Sequence, residues 1–134
     1  MAAPAMNTAV GVVLPELRIL VTPTFVISTA VATRDFQDVH HDRDQAVRRG
    51  SRDIFLNILT TNGLVQRYVT DWAGAGAMVR NVAVRLGTPC YAYDTLVLTG
   101  QVTEASSEGC TVAVVGRAGG GDHVTGQVQV GRIQ

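Results

Sequence analysis

The sequence predicts an α+β domain in which a curved antiparallel sheet wraps round one long central helix, and three observations carry that prediction. Only one long segment, Ile58 to Trp72, repeats apolar residues at helical spacing, and its sole charges, Arg67 and Asp71, come late. Four β-rich runs follow it consecutively, each closed by a turn signal, so helix and strands are segregated along the chain. The length, 134 residues, fits one domain. A helix with so little charge on any side is expected to be buried, and one sheet cannot enclose it completely. The pattern therefore also predicts a partner subunit.

Taken in order, residues 1–13 are expected to form a flexible tail ahead of a single domain over 14–134. The start has no positive n-region, and its small apolar run is broken by Asn7 and Gly11, so it resembles neither a signal peptide nor a membrane span and suits a cytoplasmic protein. Thr24 to Thr33 (TFVISTAVAT), rich in β-branched residues and bounded by Pro23, predicts a strand with Phe25, Ile27 and Val31 on one face. An irregular loop begins at Arg34, and a short helix is expected over Arg43 to Arg49, stopped by Gly50. Beyond the break at Gly74 and Gly76, strands are predicted at Met78–Leu86, Thr95–Thr103, Cys110–Val115 and through Val124, Val128 and Val130. The turns between them contain Gly87-Thr-Pro89, Ser107-Glu-Gly109 and Gly119-Gly-Gly-Asp122. Cys90 and Cys110, with no metal-ligand spacing, read as buried small hydrophobes in a reducing compartment.

Charge narrows the function. The 11 basic residues are all Arg and balance 11 acidic ones, so there is no lysine for a Schiff base or a P-loop and no basic excess to attract nucleic acid or an anionic membrane. The charge is also crowded: Arg34 to Asp53 holds 10 of those 22 charged residues and two of the three histidines. There is no GxSxG, no HExxH and no GxGxxG between a strand and a helix. His123 reads as a hairpin residue, Tyr91 and Tyr93 as packing or interface aromatics, and Trp72 as core or interface.

The chemistry therefore rests on Arg34-Asp-Phe-Gln-Asp-Val-His-His-Asp-Arg-Asp44. An Asp and a His five apart on an irregular loop can converge on one small volume, where the imidazole can exchange a proton near neutral pH and activate a water. The same residues also suit a solvated loop paired with Arg43, Arg48 and Arg49. A metal site through His40, His41 and Asp38 or Asp42 is a third reading, although adjacent histidines often point apart.

At Asp35-Phe-Gln-Asp-Val-His40-His-Asp42, with Ala46 four residues on, the sequence resembles the D-x-N-P-x-H-x-D-x-x-x-A motif of MaoC-like, R-specific enoyl-CoA hydratases, a hot-dog fold family. Ile54-Phe-Leu-Asn-Ile-Leu-Thr60 resembles that family's I-x-H-G-M-L-T helix start, and Pro89-Cys-Tyr-Ala-Tyr-Asp-Thr-Leu96 its P-x-x-x-G-D-T-L segment. The likeness spans roughly residues 14 to 132. It implies Asp35 and His40 as the catalytic pair, with His41 as the alternative base, and the backbone N–H of Asn57, in the place of a Gly, as a donor to the thioester oxygen. Gln37 and Asp38 stand where the motif has Asn-Pro.

The runs ATRDFQDVHHDRD and DIFLNILTTNGLVQRYVTDWAG further resemble the small MaoC-like subunit of actinobacterial steroid side-chain enoyl-CoA hydratases. That resemblance implies hydration of an unsaturated steroid side-chain CoA thioester, no cofactor beyond the CoA of the substrate, and a larger MaoC-like partner completing a heterotetramer. Arg80, Arg85 and Arg117 are the candidates for CoA phosphates, and nothing in the sequence chooses among them. The rival readings are a silent hot-dog subunit that completes another chain's site, an acyl-CoA thioesterase, and a small steroid-binding cone.

Overall fold

The computed structural model describes residues 8–132, which build five strands and three α-helices: β1 (Val13–Leu20), α1 (Pro23–Ala32), α2 (Arg43–Arg48), α3 (Ile58–Ala73), β2 (Ala77–Leu86), β3 (Thr95–Ser106), β4 (Gly109–Ala118) and β5 (Gly121–Arg132). A short 3-10 turn, Asp38–His40, lies between α1 and α2. The strands form one antiparallel sheet in the order β1-β3-β4-β5-β2. Two tight hairpins join β3 to β4 and β4 to β5, where Ser106 faces Gly109 and Ala118 faces Gly121. A side chain at Gly109 would strike the Val130 carbonyl, so the first hairpin depends on glycine.

Period-2 alternation puts Leu96, Leu98, Val102, Val112, Val114, Val124, Val128 and Val130 into one core with Leu64, Val65, Tyr68 and Val69 of α3. At 25 cal/mol per Å² of apolar area, each such fully buried side chain contributes roughly 1.5–3 kcal/mol before entropy is counted. Tyr68 passes its ring beside Gly100 and donates its hydroxyl to the Pro15 carbonyl at 2.8 Å, tying α3 to the edge strand β1. This is the α+β hot-dog architecture that the sequence predicted: a sheet curled round one long helix. The wrapping is incomplete, however, and α3 is not buried all round. Ile58 and Leu59 are each 54% exposed, and Gly63, Gln66, Arg67 and Asp71 complete the open face.

Two expectations near the start are corrected. Thr24 to Thr33 is helix, not strand: Thr22 accepts the Phe25 N–H at 3.0 Å as N-cap, and Pro23 occupies the first turn, where its missing N–H costs nothing. The hydroxyls that favoured a strand are satisfied inside the helix, since Thr29 donates to the Phe25 carbonyl at 2.8 Å and Thr33 to the Thr29 carbonyl at 2.8 Å. Val26 and Ala30, four apart, are its buried positions, and Val31 is exposed. The first strand lies upstream instead, at β1, where Pro15 falls in a register shift between Leu14 and Leu17 on a sheet edge, a place that tolerates proline. Of the expected tail, residues 1–7 lie outside the described residues. From Gly11 the backbone is already tied to β3, with the Gly11 N–H donating to Val102 and the Val102 N–H to Val12, both at 2.9 Å.

The other elements fall where the sequence placed them, with β3, β4 and β5 longer than expected. Cys90 and Cys110 are free and buried; burial, with Asp94 nearby, pushes the Cys90 thiol up to about 12. Among the described residues no helix is long and apolar enough to cross a membrane. Because a single hydroxyl caps α1, Thr22→Ala is expected to lower unfolding free energy in urea by about 1 kcal/mol, and Thr22→Ser to leave it nearly unchanged.

Candidate active site

The end of α1 places Asp35. The Arg34 N–H bonds the Val31 carbonyl and the Asp35 N–H reaches back to Ala30, at 3.0 and 2.9 Å, with Arg34 itself left-handed at φ 58°. This paired closure fixes the direction in which the chain leaves the helix, at a steric cost of roughly 1 kcal/mol because Arg34 is not glycine. The Asp35 carboxylate then accepts the Gln37 N–H at 3.2 Å on Oδ1 and the Asn57 Nδ2 at 3.1 Å on Oδ2. Burial raises this carboxyl, but the bonds from Asn57 and Gln37, aided by His40 and His41, outweigh that and hold its pKa below the usual carboxylate value.

The 3-10 turn delivers His40, which is 6% exposed. Its Nδ1 lies 2.7 Å from the Phe55 carbonyl, and the Phe55 ring packs edge-on against the imidazole at 4.9 Å. A carbonyl only accepts, so Nδ1 carries the hydrogen, and in the neutral ring Nε2 presents its lone pair. That Nε2 faces Asp35 Oδ2 at 3.5 Å. The Phe55 carbonyl is itself held by pairing of residues 54–56 with 90–92: Leu56 N–H to Cys90 and Ala92 N–H to Ile54, at 3.0 and 2.9 Å.

His41 turns elsewhere. Its Nε2 is 2.6 Å from the Asp35 carbonyl oxygen, so it braces the backbone of Asp35 while its ring stacks on Phe36. Several of the remaining charges of the crowded segment are structural. Asp38 takes a two-point bond from Arg49 at 2.8 and 3.0 Å, Asp42 caps α2 through the Gln45 N–H at 3.2 Å, and Arg43 lies 3.8 Å from Asp53. Of its imidazoles and carboxylates, the structure brings Asp35 and His40 face to face.

Asn57 caps α3. Its Oδ1 accepts the Thr60 N–H at 3.0 Å, and the N–H groups of Asn57, Ile58 and Leu59 find no acceptor among the described residues. The open, positive end of α3 thus lies beside the Asp35–His40 pair, rimmed by exposed Phe36, Ile58 and Leu59.

The candidate phosphate ligands are dispersed. Arg117 is 3.3 Å from Asp122, Arg85 pairs with Thr125 in the sheet, and Arg80 packs over Gly131, eight residues beyond His123 on β5 and so about 27 Å along the strand. His123 is not a hairpin residue. It is 2% exposed, donating from Nδ1 to the Thr88 carbonyl at 2.7 Å and accepting the Thr61 hydroxyl on Nε2 at 2.8 Å, which pins α3 to the turn after β2. The sequence signal for Asn57 as cap, an Asn directly before an apolar helix, was present; nothing marked its side chain as a partner of Asp35.

No family model matches the chain. It is 61% identical over 123 residues, 92% of this chain and 95% of the relative, to the 3-oxo-4,17-pregnadiene-20-carboxyl-CoA hydratase beta subunit of Mycobacterium tuberculosis. The chain belongs to the MaoC-like enoyl-CoA hydratases. Among solved structures, a chain of the ChsH1-ChsH2 complex from Mycobacterium tuberculosis superposes with a TM-score of 0.91 at 60% identity, covering 94% of this chain and 99% of that chain. The (R)-hydratase from A. caviae involved in PHA biosynthesis superposes with a TM-score of 0.85 at 19% identity, covering 96% and 100%, a likeness of fold.

The buried His123 makes the stability of the folded chain depend on pH. Burial holds its pKa below the ordinary 6.5, against weaker opposing effects of the Thr88 carbonyl and Asp94. Between the two values the unfolded chain binds more protons than the folded one, so stability rises with pH across that window and is lost on acidification below about 6.5. His123→Gln, which cannot titrate, is expected to lose less stability between pH 7 and pH 5 when urea midpoints are compared.

Proposed function

We propose that this chain is the catalytic, beta-type subunit of a steroid side-chain enoyl-CoA hydratase, adding water across the C2=C3 bond of an enoyl-CoA thioester together with a larger MaoC-like partner. The observation that carries the reading is the 3.5 Å approach of His40 Nε2 to Asp35 Oδ2 beside the open end of α3. The neutral imidazole nitrogen and the carboxylate are both acceptors, so what belongs beside them, bridging the two, is a donor with two O–H groups, a water. As that water adds to C3, His40 Nε2 takes one of its protons and Asp35 holds it in line. The π electrons move through C2 onto the thioester oxygen, where the Asn57 N–H and the helix end stabilise the enolate-like charge. The proton held on His40 then goes to C2, leaving a 3-hydroxyacyl-CoA and a neutral imidazole.

The substrate class is supported by the 61% identity to a hydratase beta subunit named for a pregnadiene-carboxyl-CoA, and by the apolar rim that Phe36, Ile58 and Leu59 offer an acyl group. The partner is supported by the likeness to a chain of a two-component complex and by the uncovered face of α3. A silent subunit has no use for an imidazole locked with Nε2 toward a carboxylate. Water, Asp35 and His40 suffice for the step, and the free buried thiols support a reducing, cytoplasmic compartment. With the partner present, Asp35→Ala and His40→Ala are each expected to lower hydratase turnover by about 10²-fold or more, read from loss of enoyl absorbance. Near-native turnover in either variant, or release of free CoA thiol in place of hydration, would contradict the proposal.

A further inference from the structure

We infer that the Asn57 side chain is a positioning residue for hydration, one that locks the Asp35 carboxylate at a fixed offset from the backbone N–H that Asn57 itself offers to the thioester oxygen. This rests on the reading of Asp35 and His40 given above and goes beyond it, since that reading uses only the Asn57 backbone. The side chain is buried at 3% exposure, and its contacts fix which end of the amide is which. Oδ1 lies 3.0 Å from the Thr60 N–H, which can only donate, and Nδ2 lies 3.1 Å from a carboxylate oxygen, which only accepts. The second hydrogen of Nδ2 goes to Thr33 Oγ1 at 2.8 Å, and the Thr33 hydroxyl donates back into α1 at the Thr29 carbonyl. One amide thus joins the last turn of α1, the first turn of α3 and the carboxylate that closes α1.

The geometry gives this bond a specific task. Asp35 Oδ2 carries both the Asn57 contact and the 3.5 Å approach to His40, so rotation of the carboxylate would change the position of any water held between them. The other hydrogen bond, from the Gln37 N–H, holds Oδ1 alone. Where the hydratase motif has glycine at this place, only a backbone donor is available. Here the same residue supplies a side-chain donor to the carboxylate and a backbone donor at the helix end, so the distance between the water-holding oxygen and the oxyanion donor is set within a single residue. The bond also favours the ionised carboxylate, in keeping with the depressed pKa of Asp35.

The test uses the complete complex with its partner and compares Asn57→Ser and Asn57→Asp, both of which keep an oxygen to cap α3 and the backbone N–H. Asn57→Ser withdraws the Nδ2 donor and leaves a shorter hydroxyl at the α3 cap; Asn57→Asp replaces the donor with a second carboxylate facing Oδ2. The expected result is a fall in kcat of about 10-fold or more for each, with KM within about twofold. The acid limb of the pH–rate profile should move to higher pH, further for Asn57→Asp, while urea midpoints stay near wild type. Profiles that superpose on wild type, or a rise in KM with kcat intact, would overturn the inference. If either variant is too unstable to assay, the other carries the measurement. Asp35→Asn separates the two levels: if it turns over like wild type, the catalytic reading itself fails, whereas an inactive Asp35→Asn beside unshifted Asn57 profiles rejects only the positioning role.

Discussion

Two pieces of chain, 22 to 24 residues apart in sequence, meet at the amide of Asn57. Its oxygen terminates the hydrogen-bond ladder of α3, one N–H reaches Thr33 in the last turn of α1, and the other holds Asp35. Each bond is modest alone, about 1 kcal/mol net for a neutral pair and up to about 3 with a charged acceptor. Their joint effect is geometric. A helix that starts at Ile58 and a helix that ends at Ala32 are held in register by a buried group with no room to be half-satisfied. Everything the site needs to hold still is within one or two bonds of that amide.

The rest of the fold keeps this junction from moving. α3 is bolted to the sheet at both ends, through the Thr61–His123–Thr88 relay near its start and the Tyr68 hydroxyl on Pro15 further along. Between those points its inner face interlocks with the valines and leucines of β3, β4 and β5. The pairing of 54–56 with 90–92 then carries the rigidity of the sheet out to the Phe55 carbonyl, and so to the tautomer of His40. A buried core thus decides which nitrogen of a loop histidine is free to accept a proton.

The density of charge in Arg34 to Asp53 takes on a divided meaning. Most of it is scaffold: Arg49 on Asp38, Asp42 on α2, Arg43 beside Asp53, His41 on the backbone of Asp35. Those pairings stiffen a segment where the family motif would use Asn-Pro. A loop without proline must fix its backbone by other means, and here side chains do so. Only Asp35 and His40 are left facing each other, so the same segment holds both a charge-paired loop and the convergence of Asp and His that the sequence allowed.

The amino-acid sequence by itself determined the sheet-and-helix architecture, the helix at Ile58, the hairpins after β3 and β4, and the order Asp35 then His40, because these depend on local periodicity, turn chemistry and a short motif. It misread Thr24 to Thr33, where β-branched residues favour a strand in isolation and only packing of Val26 and Ala30, with a threonine cap, makes a helix the better burial. It gave no sign that His123 is buried or that Asn57 reaches Asp35, since those partners lie 62 and 22 residues away. Hydrogen bonds of that range form when the sheet curls and α3 docks, so the free nitrogen of His40, the turning of His41 onto the Asp35 backbone and the clamp on the carboxylate were decided by tertiary structure alone.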